Sequence, residues 1–287
     1  MSETVIGVIG GSGLYEIEGL TDVEEVSVDT PFGEPSDKYI TGSLEGKKLV
    51  FLPRHGRGHR LTPSEINYRA NIYGMKKLGV EYLISVSAVG SMREDIEPGH
   101  MVIVDQFFDQ TKGRKSSFFG EGIVGHVEFA EPVCGSLGGI LYESAKEAGA
   151  TVHKGGTYIC IEGPQFSTRA ESNIYRKWGV DVIGMTNVPE SKLAREAEIC
   201  YSTIALSTDY DCWHDAHENV TVDMILDTIS KNVSTARAII KDAVPKIGGE
   251  RSCKCSGAMQ FAVVTDPKLI PAKTKENMEV LIGKYNK

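Results

Sequence analysis

Two aspartates, Asp209 and Asp211, stand one residue apart directly after an apolar run, a spacing that suits acid–base chemistry. In an extended segment, residues two apart project to the same face. Two neighbouring carboxylates repel each other, so one of them can hold a proton that an isolated carboxyl would lose. The pair therefore suits a general acid. A turn or helix cap built on Asx hydrogen bonds would explain the same spacing.

A second set of residues suits an oxyanion such as phosphate. The run Gly-Gly-Ser-Gly at 10–13 offers a hydroxyl and main-chain N–H groups that glycine leaves open to close approach. Arg54, His55 and Thr186 offer a guanidinium, an imidazole and a hydroxyl. The loop at 10–13 lacks the spacing of a P-loop, a dinucleotide fingerprint or a nucleophile elbow. Such a turn is also common for purely structural reasons, so alone it identifies no site.

These candidate residues follow predicted strands. Apolar runs alternate with amphipathic segments, which predicts a mostly parallel sheet covered by helices on both faces, with ligands beyond the carboxyl ends of its strands. The predicted strands are 4–9, 48–53, 80–88, 100–105, 156–162, 180–185 and 199–207, and the predicted helices are 62–78, 135–148, 168–179, 189–197 and 221–243. The expected fold is a single α/β domain over residues 1–287, with a central mixed, mostly parallel sheet flanked by helices. Residues 249–287 are expected to form a C-terminal extension of uncertain packing.

Composition limits the possible classes of partner. The chain has 287 residues, of which 41% are hydrophobic, enough for a packed core. Its net charge of −8 gives no general attraction to nucleic-acid phosphates. No apolar run approaches the ~20 residues of a membrane span, and the start resembles no secretory leader. We therefore expect no nucleic-acid or membrane partner and a cytoplasmic location.

Metal ligation finds little support in the sequence. The six cysteines lie at 134, 160, 200, 212, 253 and 255, too few for a disulfide scaffold in a chain of this length. A zinc site uses paired ligand spacing, and only Cys253-Lys-Cys255 forms a pair. His55 and His59 are four apart, but the glycines between them disfavour a helix. No metal is expected.

Together these motifs resemble the trimeric class of purine nucleoside phosphorylases. The resemblance covers residues 4–245, and beyond the loop at 10–13 it rests on Pro53-Arg-His-Gly56, Asn67-Tyr-Arg-Ala-Asn71, Ala88-Val-Gly-Ser91, Glu162-Gly-Pro-Gln-Phe166, Arg169-Ala-Glu-Ser172, Gly184-Met-Thr186 and Thr208-Asp-Tyr-Asp-Cys-Trp213. It implies a nucleoside-phosphorylase-like fold, inorganic phosphate as co-substrate, no cofactor, and a homotrimer that could pair into a dimer of trimers.

The resemblance also implies a role for each candidate residue. Phosphate would be contacted by Ser12, where relatives often have Thr, and by Arg54, His55, Ser87, the main chain of Ala88, and Thr186. The nucleoside would be contacted by Phe166, Ser167, Met185, Asp211, Val222, Ile225, Leu226 and, from a neighbouring subunit, His126. Asp209 would be the general acid. The three apolar residues at 222–226 equally fit the buried stripe of a helix, and His126 equally fits a surface loop.

The implied reaction is phosphorolysis, in which phosphate attacks C1′ as the N-glycosidic bond breaks. An apolar 5′ wall suits a methylthio group and would leave a 5′-hydroxyl unpaired. A carboxyl at position 209 can accept from a 6-amino group and donate to N7. We therefore expect 5′-methylthioadenosine as substrate, giving adenine and 5-methylthioribose 1-phosphate. The alternatives are a phosphorylase acting mainly on adenosine, inosine or methylthioinosine, and a nucleoside-binding protein without turnover.

The resemblance bears on Cys253-Lys-Cys255 as well. Disulfide-bearing, heat-stable members of the family carry similar Cys-x-Cys elements, which suggests a disulfide within the pair or to another cysteine such as Cys134 or Cys200. A Cys-x-Cys ring is very short and strained. Free thiols are therefore the default expectation.

Overall fold

The computed structural model describes residues 4–11, 13–214 and 222–285, without the side chains of 222–227. At its centre lies one mixed sheet. Its strands are β1 (Val5–Gly10), β2 (Thr21–Val26), β3 (Tyr39–Leu44), β4 (Lys47–Pro53), β5 (Val80–Ser91), β6 (Met101–Val104), β7 (Gln106–Gln110), β8 (Val152–Lys154), β9 (Thr157–Ile161), β10 (Val182–Gly184) and β11 (Cys200–Tyr210). The helices are α1 (Tyr68–Lys77), α2 (Gly135–Glu147), α3 (Arg169–Lys177), α4 (Asn187–Glu196), α5 (Val222–Ala243) and α6 (Ala272–Ile282).

The sheet branches at β5. Its main path runs β2-β3-β4-β1-β5-β10-β9-β7, and β11, β6 and β8 continue from β5 on the other side. Six of the strand pairings are parallel and four are antiparallel. The expectation of a mixed, mostly parallel α/β sheet is thus confirmed.

Helices cover both faces of the sheet, which explains why its central strands are apolar throughout. All six residues of β1 are buried, as are four consecutive residues of β6. One apolar cluster joins the sheet to α2 and α5, and another joins it to α1 and α4. Met278 and Leu281 of α6 belong to the second cluster, each 2% exposed. The C-terminal extension therefore packs against the core.

The predicted start of the first long helix is wrong. Thr62 and Glu65 form only half of a capping box: the Thr62 N–H donates to Glu65 Oε2 at 2.9 Å, but the Glu65 N–H donates to the Thr62 carbonyl and not to its hydroxyl. The turn does not continue, because Asn67 has a non-helical backbone (φ −82°, ψ 77°). Asn67 instead caps α1, with its side chain accepting from the N–H of Ala70. The predicted start of the helix at 168 is confirmed, because Thr168 and Glu171 form a complete capping box at the start of α3.

A helix that crosses a membrane must be both long enough and apolar enough to span the bilayer. None of the helices of the described residues combines the length and the apolar character needed to cross a membrane.

Candidate active site

The candidate site lies along one edge of β5, where two neighbouring strands leave a gap. β1 pairs with β5 over Val80–Ser85, and β10 pairs with the same strand only at Gly90 and Ser91. Within the described chain, residues 86–89 therefore have no strand partner on this edge. Ala88 is the exposed residue in this otherwise mostly buried stretch of strand.

The direction of the Ala88 main chain follows from its neighbours. The carbonyl of Val86 accepts from Arg54 Nη1 at 3.0 Å, and the N–H of Met92 donates to the Asp181 carbonyl at 2.9 Å, both on the gap side. The Ser91 carbonyl accepts from the Asp211 N–H on the opposite edge. Main-chain groups of a strand alternate between its edges with a period of two. The N–H of Ala88 therefore points into the gap.

Arg54 follows β4 and lies buried behind this gap. Its Nε donates to Glu190 Oε2 at 2.8 Å and its Nη2 donates to Glu190 Oε1 at 3.1 Å. Nη2 also contacts the Ser85 hydroxyl at 2.7 Å, and Nη1 donates to Val86. A guanidinium has five N–H donors, so one hydrogen on Nη1 remains for a ligand.

His55 offers an acceptor rather than a charge. Its Nδ1 lies 2.8 Å from the Leu61 carbonyl, which can only accept, so Nδ1 carries the proton. Burial lowers the pKa of His55 to about 4, with further repulsion from Arg54 and His59. The neutral ring therefore leaves Nε2 with a lone pair, which suits the hydroxyl of a protonated phosphate.

Three hydroxyls meet where β10 ends. The Ser87 hydroxyl lies 3.4 Å from that of Thr186 and 3.2 Å from that of Tyr158, which is fully buried. Antiparallel pairing of β10 with β5 explains the meeting, because the register that sets Ile183 opposite Gly90 brings Thr186 towards Ser87. The cluster is a ready set of donors and acceptors beside the gap.

The aspartate pair also lies beside β5. A β-bulge between Ser207 and Asp209 shifts the register, so that Asp209 faces Gly90. A Cβ on Gly90 would lie 3.2 Å from Asp209 Oδ1 and 3.4 Å from the Cβ of Asp211. Asp209 Oδ2 accepts from the Thr208 hydroxyl at 2.6 Å, and Asp211 Oδ2 accepts from Ser167 at 2.7 Å. Glycine at position 90 is what lets both carboxyl side chains come this close.

Two further candidates flank the hydroxyl cluster and the aspartates. Met185 is half-buried at the end of β10 and packs against the backbone of Gly163. Phe166 precedes Ser167 and is 84% exposed, so its ring is free to cover a planar ligand.

Five candidates are not brought together with the others. Ser12 lies outside the described residues, as do the side chains of Val222, Ile225 and Leu226 at the start of α5. His126 is exposed on a segment tied to the C-terminal extension, where its N–H donates to the Ala262 carbonyl at 2.8 Å. Across residues 4–11, 13–214 and 222–285, no hydrogen bond links His126 to a residue of the gap.

Three residues of this region were not anticipated from the sequence. Glu190 neutralises Arg54, Tyr158 orients Ser87, and buried Arg114 donates to the carbonyls of Met185 (2.6 Å) and Glu162 (2.6 Å). Glu190 did carry a signal, since it occupies the buried stripe of α4 four residues before Ala194. An acid on such a stripe requires a buried partner.

One group in the described chain has the make-up of a metal site. It consists of Cys134, Cys200, Cys253 and Cys255, and it lies at the amino end of β11, opposite the aspartates. All six cysteines are free thiols, and neither a disulfide within the Cys-x-Cys pair nor one to Cys134 or Cys200 is formed.

Comparison with known proteins places this geometry in a family. A model of the phosphorylase superfamily matches residues 5–245. The chain is 64% identical to S-methyl-5′-thioadenosine phosphorylase of Geobacter sulfurreducens over 284 residues, 99% of each chain. It is 57% identical to the protein of the same name from Koribacter versatilis, over 98% of this chain and 96% of the other.

Solved structures agree. A methylthioadenosine phosphorylase from an antarctic soil metagenomic library superposes with a TM-score of 0.94 at 49% identity, covering 98% of this chain and 99% of its own. The methylthioadenosine phosphorylase of Schistosoma mansoni, solved with adenine, gives a TM-score of 0.82 at 36% identity over 98% of each chain. Sequence and fold thus agree over almost the whole length, and the chain belongs to the phosphorylase superfamily.

Proposed function

We propose that this protein catalyses the phosphorolysis of 5′-methylthioadenosine to adenine and 5-methylthioribose 1-phosphate. The observation that carries the proposal is the convergence of a carboxyl pair and a set of phosphate-type donors on residues 86–90 of β5, at its unpaired stretch and directly beside it. Full-length similarity to proteins named methylthioadenosine phosphorylase supports the choice of substrate.

The gap along β5 is the proposed phosphate site. Ala88 supplies a main-chain N–H, Ser87 and Thr186 supply hydroxyls, and Arg54 supplies its one remaining N–H. His55 accepts from a phosphate hydroxyl through Nε2. Ser12 is proposed to add a hydroxyl from the loop after β1. Most of this site is neutral, so it binds phosphate by directed hydrogen bonds more than by net charge.

In the proposed reaction, a phosphate oxygen forms a bond to C1′ while the C1′–N9 bond breaks. The sugar carries positive charge in the transition state, and the adjacent phosphate anion stabilises it. Asp209 donates a proton to N7, so that adenine leaves as a neutral base. The acid and the anion together account for the step, and the proposal assigns no metal or organic cofactor to it.

The carboxyl pair is proposed to select a 6-aminopurine. A carboxyl group accepts from the 6-amino group and donates to N7, whereas the 6-oxo edge would call for an amide donor. Ser167 holds Asp211 at 2.7 Å and so fixes one member of the pair. Phe166 would cover the exposed face of the base, and Met185 would pack against the ribose.

The 5′ substituent is proposed to lie against Val222, Ile225 and Leu226, with His126 contributed by a neighbouring subunit of a homotrimer. His126 is exposed and tied to the C-terminal extension, which suits a residue that serves another subunit. Analytical ultracentrifugation at assay concentration would test the assembly, and a fully active monomer would contradict it. We also propose a cytoplasmic location, where free thiols such as these six persist.

The decisive experiment is release of adenine from methylthioadenosine with and without phosphate. We expect turnover that depends on phosphate, with 5-methylthioribose 1-phosphate as the second product. Parallel assays on adenosine, inosine and methylthioinosine test the substrate choice, and a higher kcat/KM on any of these would contradict it. Binding of nucleoside without release of base would show a binding protein instead.

A further inference from the structure

Four cysteines from separate parts of the chain converge on one point, away from the candidate active site. The sulfurs of Cys134, Cys200, Cys253 and Cys255 all lie within 4.8 Å of one another, and those of Cys200 and Cys253 are 3.3 Å apart. Cys134, Cys200 and Cys255 are buried and Cys253 is half-buried. A cluster of this kind belongs to neither the phosphate site nor the nucleoside site.

The fold supplies the second ligand pair that the sequence lacks. Cys200 begins β11, and Cys134 caps α2 while its N–H donates to the Tyr201 carbonyl at 2.7 Å. These two therefore sit side by side. Cys253 and Cys255 reach them from the C-terminal segment, at a short 3-10 turn over Lys254–Gly257.

We propose that these four cysteines form a structural site for a thiophilic divalent ion of the zinc class. A tetrahedral centre with Zn–S bonds of ~2.3 Å has sulfurs about 3.8 Å apart, and the observed spacing brackets that value. Four soft ligands would fill the coordination sphere without an open position for water or substrate, as in structural rather than catalytic zinc sites.

The surroundings suit bound thiolates. Four thiolates and one divalent cation carry a net negative charge, and the positive charge of Arg251 interacts electrostatically with Cys200. Cys134 is the N-cap residue of α2, where the positive end of the helix dipole favours a thiolate. Positive charge beside the sulfurs favours their ionised form, which is the form that binds a metal.

Disulfides account for the arrangement less well. Two disulfides need two close pairs, with no reason for all four sulfurs to share one point. A bond between Cys253 and Cys255 would also close a very short, strained ring. A single ion at the centre explains why every sulfur is near every other.

The site would tie the C-terminal segment to the core. Cys200 and Asp209 stand at opposite ends of β11, about 30 Å apart along an extended strand. Metal bound here would therefore stabilise the fold without taking part in phosphorolysis, and the inference does not depend on the proposed function.

The test uses the full chain, purified without chelator or added reductant. We expect about one zinc ion per chain by elemental mass spectrometry. Replacement with Co²⁺ should give the intense visible absorption and the thiolate-to-metal charge transfer of a tetrahedral sulfur site. Thiol titration of denatured protein with chelator should find all six cysteines free. Cys134→Ser and Cys255→Ser should lose the metal, whereas Cys160→Ser, buried outside the cluster, and Cys212→Ser, exposed, should keep it.

Chelation of the holoprotein should lower Tm and leave the rate of adenine release at 25 °C unchanged while the fold persists. A metal-free protein overturns the inference, whether its thiol titre shows six free cysteines or the smaller number left by disulfides. Should the serine variants fail to fold, the metal content and cobalt spectrum of the wild-type chain still decide the question.

Discussion

The Arg54 guanidinium and the Glu190 carboxylate meet in a two-point ion pair, Nε to Oε2 at 2.8 Å and Nη2 to Oε1 at 3.1 Å, and solvent reaches almost none of either side chain. The hydroxyls of Ser85 and Tyr201 also donate to Glu190 Oε1, at 2.8 Å and 2.9 Å. The charge of Arg54 is thus balanced within the fold. Its proposed role towards phosphate is therefore to present one directed N–H.

Replacing Glu190 tests this balance. Glu190→Gln keeps the shape but leaves the buried guanidinium without a counter-charge, so we expect a loss of about 3–5 kcal/mol in the free energy of unfolding. Urea denaturation followed by circular dichroism measures it. Glu276→Gln is the control, because its exposed pair with Lys273 should contribute no more than ~1 kcal/mol. Equal losses for both variants would contradict the assignment.

Asp209→Asn should remove the general acid. We expect kcat for methylthioadenosine phosphorolysis to fall by roughly 10²–10⁴, because the amide cannot protonate N7. Tm should change little, since the amide is nearly isosteric with the carboxyl. Asp95→Asn, on the exposed surface, is the matched control and should keep the wild-type rate. Near wild-type turnover by the Asp209→Asn variant would rule out the acid role.

Gly90→Ala should displace the carboxyl groups of Asp209 and Asp211 by adding a methyl group beside them. The new methyl group would lie 3.2 Å from Asp209 Oδ1 and 3.1 Å from Ile183 Cγ2, tighter than ordinary contact. We expect kcat to fall about tenfold as the acid shifts from its position. Gly139→Ala in α2 meets nothing within 4 Å and should leave kcat unchanged. Steady-state assays of the two alanine variants make the comparison.

His55 should make the free energy of unfolding depend on pH. Its pKa falls from about 6.5 to about 4 on folding because the ring is buried, so the unfolded chain binds more protons between those values. The free energy of unfolding should therefore decrease as pH drops from 6.5 to 4. In His55→Gln this decrease should be smaller, and in His126→Gln, at an exposed position, it should match wild type. Parallel slopes for all three proteins would refute the shift.

Glu196 should make the free energy of unfolding depend on pH in the direction opposite to that of His55. Burial raises its pKa from 4.5 to about 7, although it accepts from the Phe118 N–H and the Ser117 hydroxyl. Its protonated form is favoured by folding, so its contribution to stability is complete below pH 4.5 and is lost as pH rises through 7. Unfolding of Glu196→Gln between pH 4.5 and 8 should lack this loss. If the Glu196→Gln variant instead shows the same pH dependence of stability as the wild-type protein in that range, Glu196 is ionised in the folded state.

Local patterns predicted seven of the described strands, but they missed β2, β7 and β8 at the sheet margin and also the buried β3. β1 and β4 were predicted because apolar residues line both of their faces. β2 has the sequence Thr-Asp-Val-Glu-Glu-Val with five exposed residues, and β7 lies within residues 105–131, which had no strand pattern. β2 and β7 are extended because they pair with β3 and β9. A short stretch of sequence contains only one member of such a pair, so it does not show the pairing.

The same limit applies to the site. Arg54, Thr186 and Asp209 could be named as candidates from the sequence, since each has a chemically active side chain after a strand. The pairing of Glu190 with Arg54 could not be predicted, because the two residues lie 136 positions apart in the chain. The cysteines show the limit most clearly, since a rule based on spacing found one pair and the fold brings two further sulfurs to it.

The gap along β5 has a consequence for how this enzyme can vary. The N–H that faces it at Ala88 belongs to the main chain, so nineteen of the twenty genetically encoded residues would supply it equally, and only proline would abolish it. A mutational scan would therefore score position 88 by the room for its side chain. The hydrogen-bond donor at position 88 is part of the strand's main chain. Selection on the side chain at that position therefore acts only through the space that the side chain occupies.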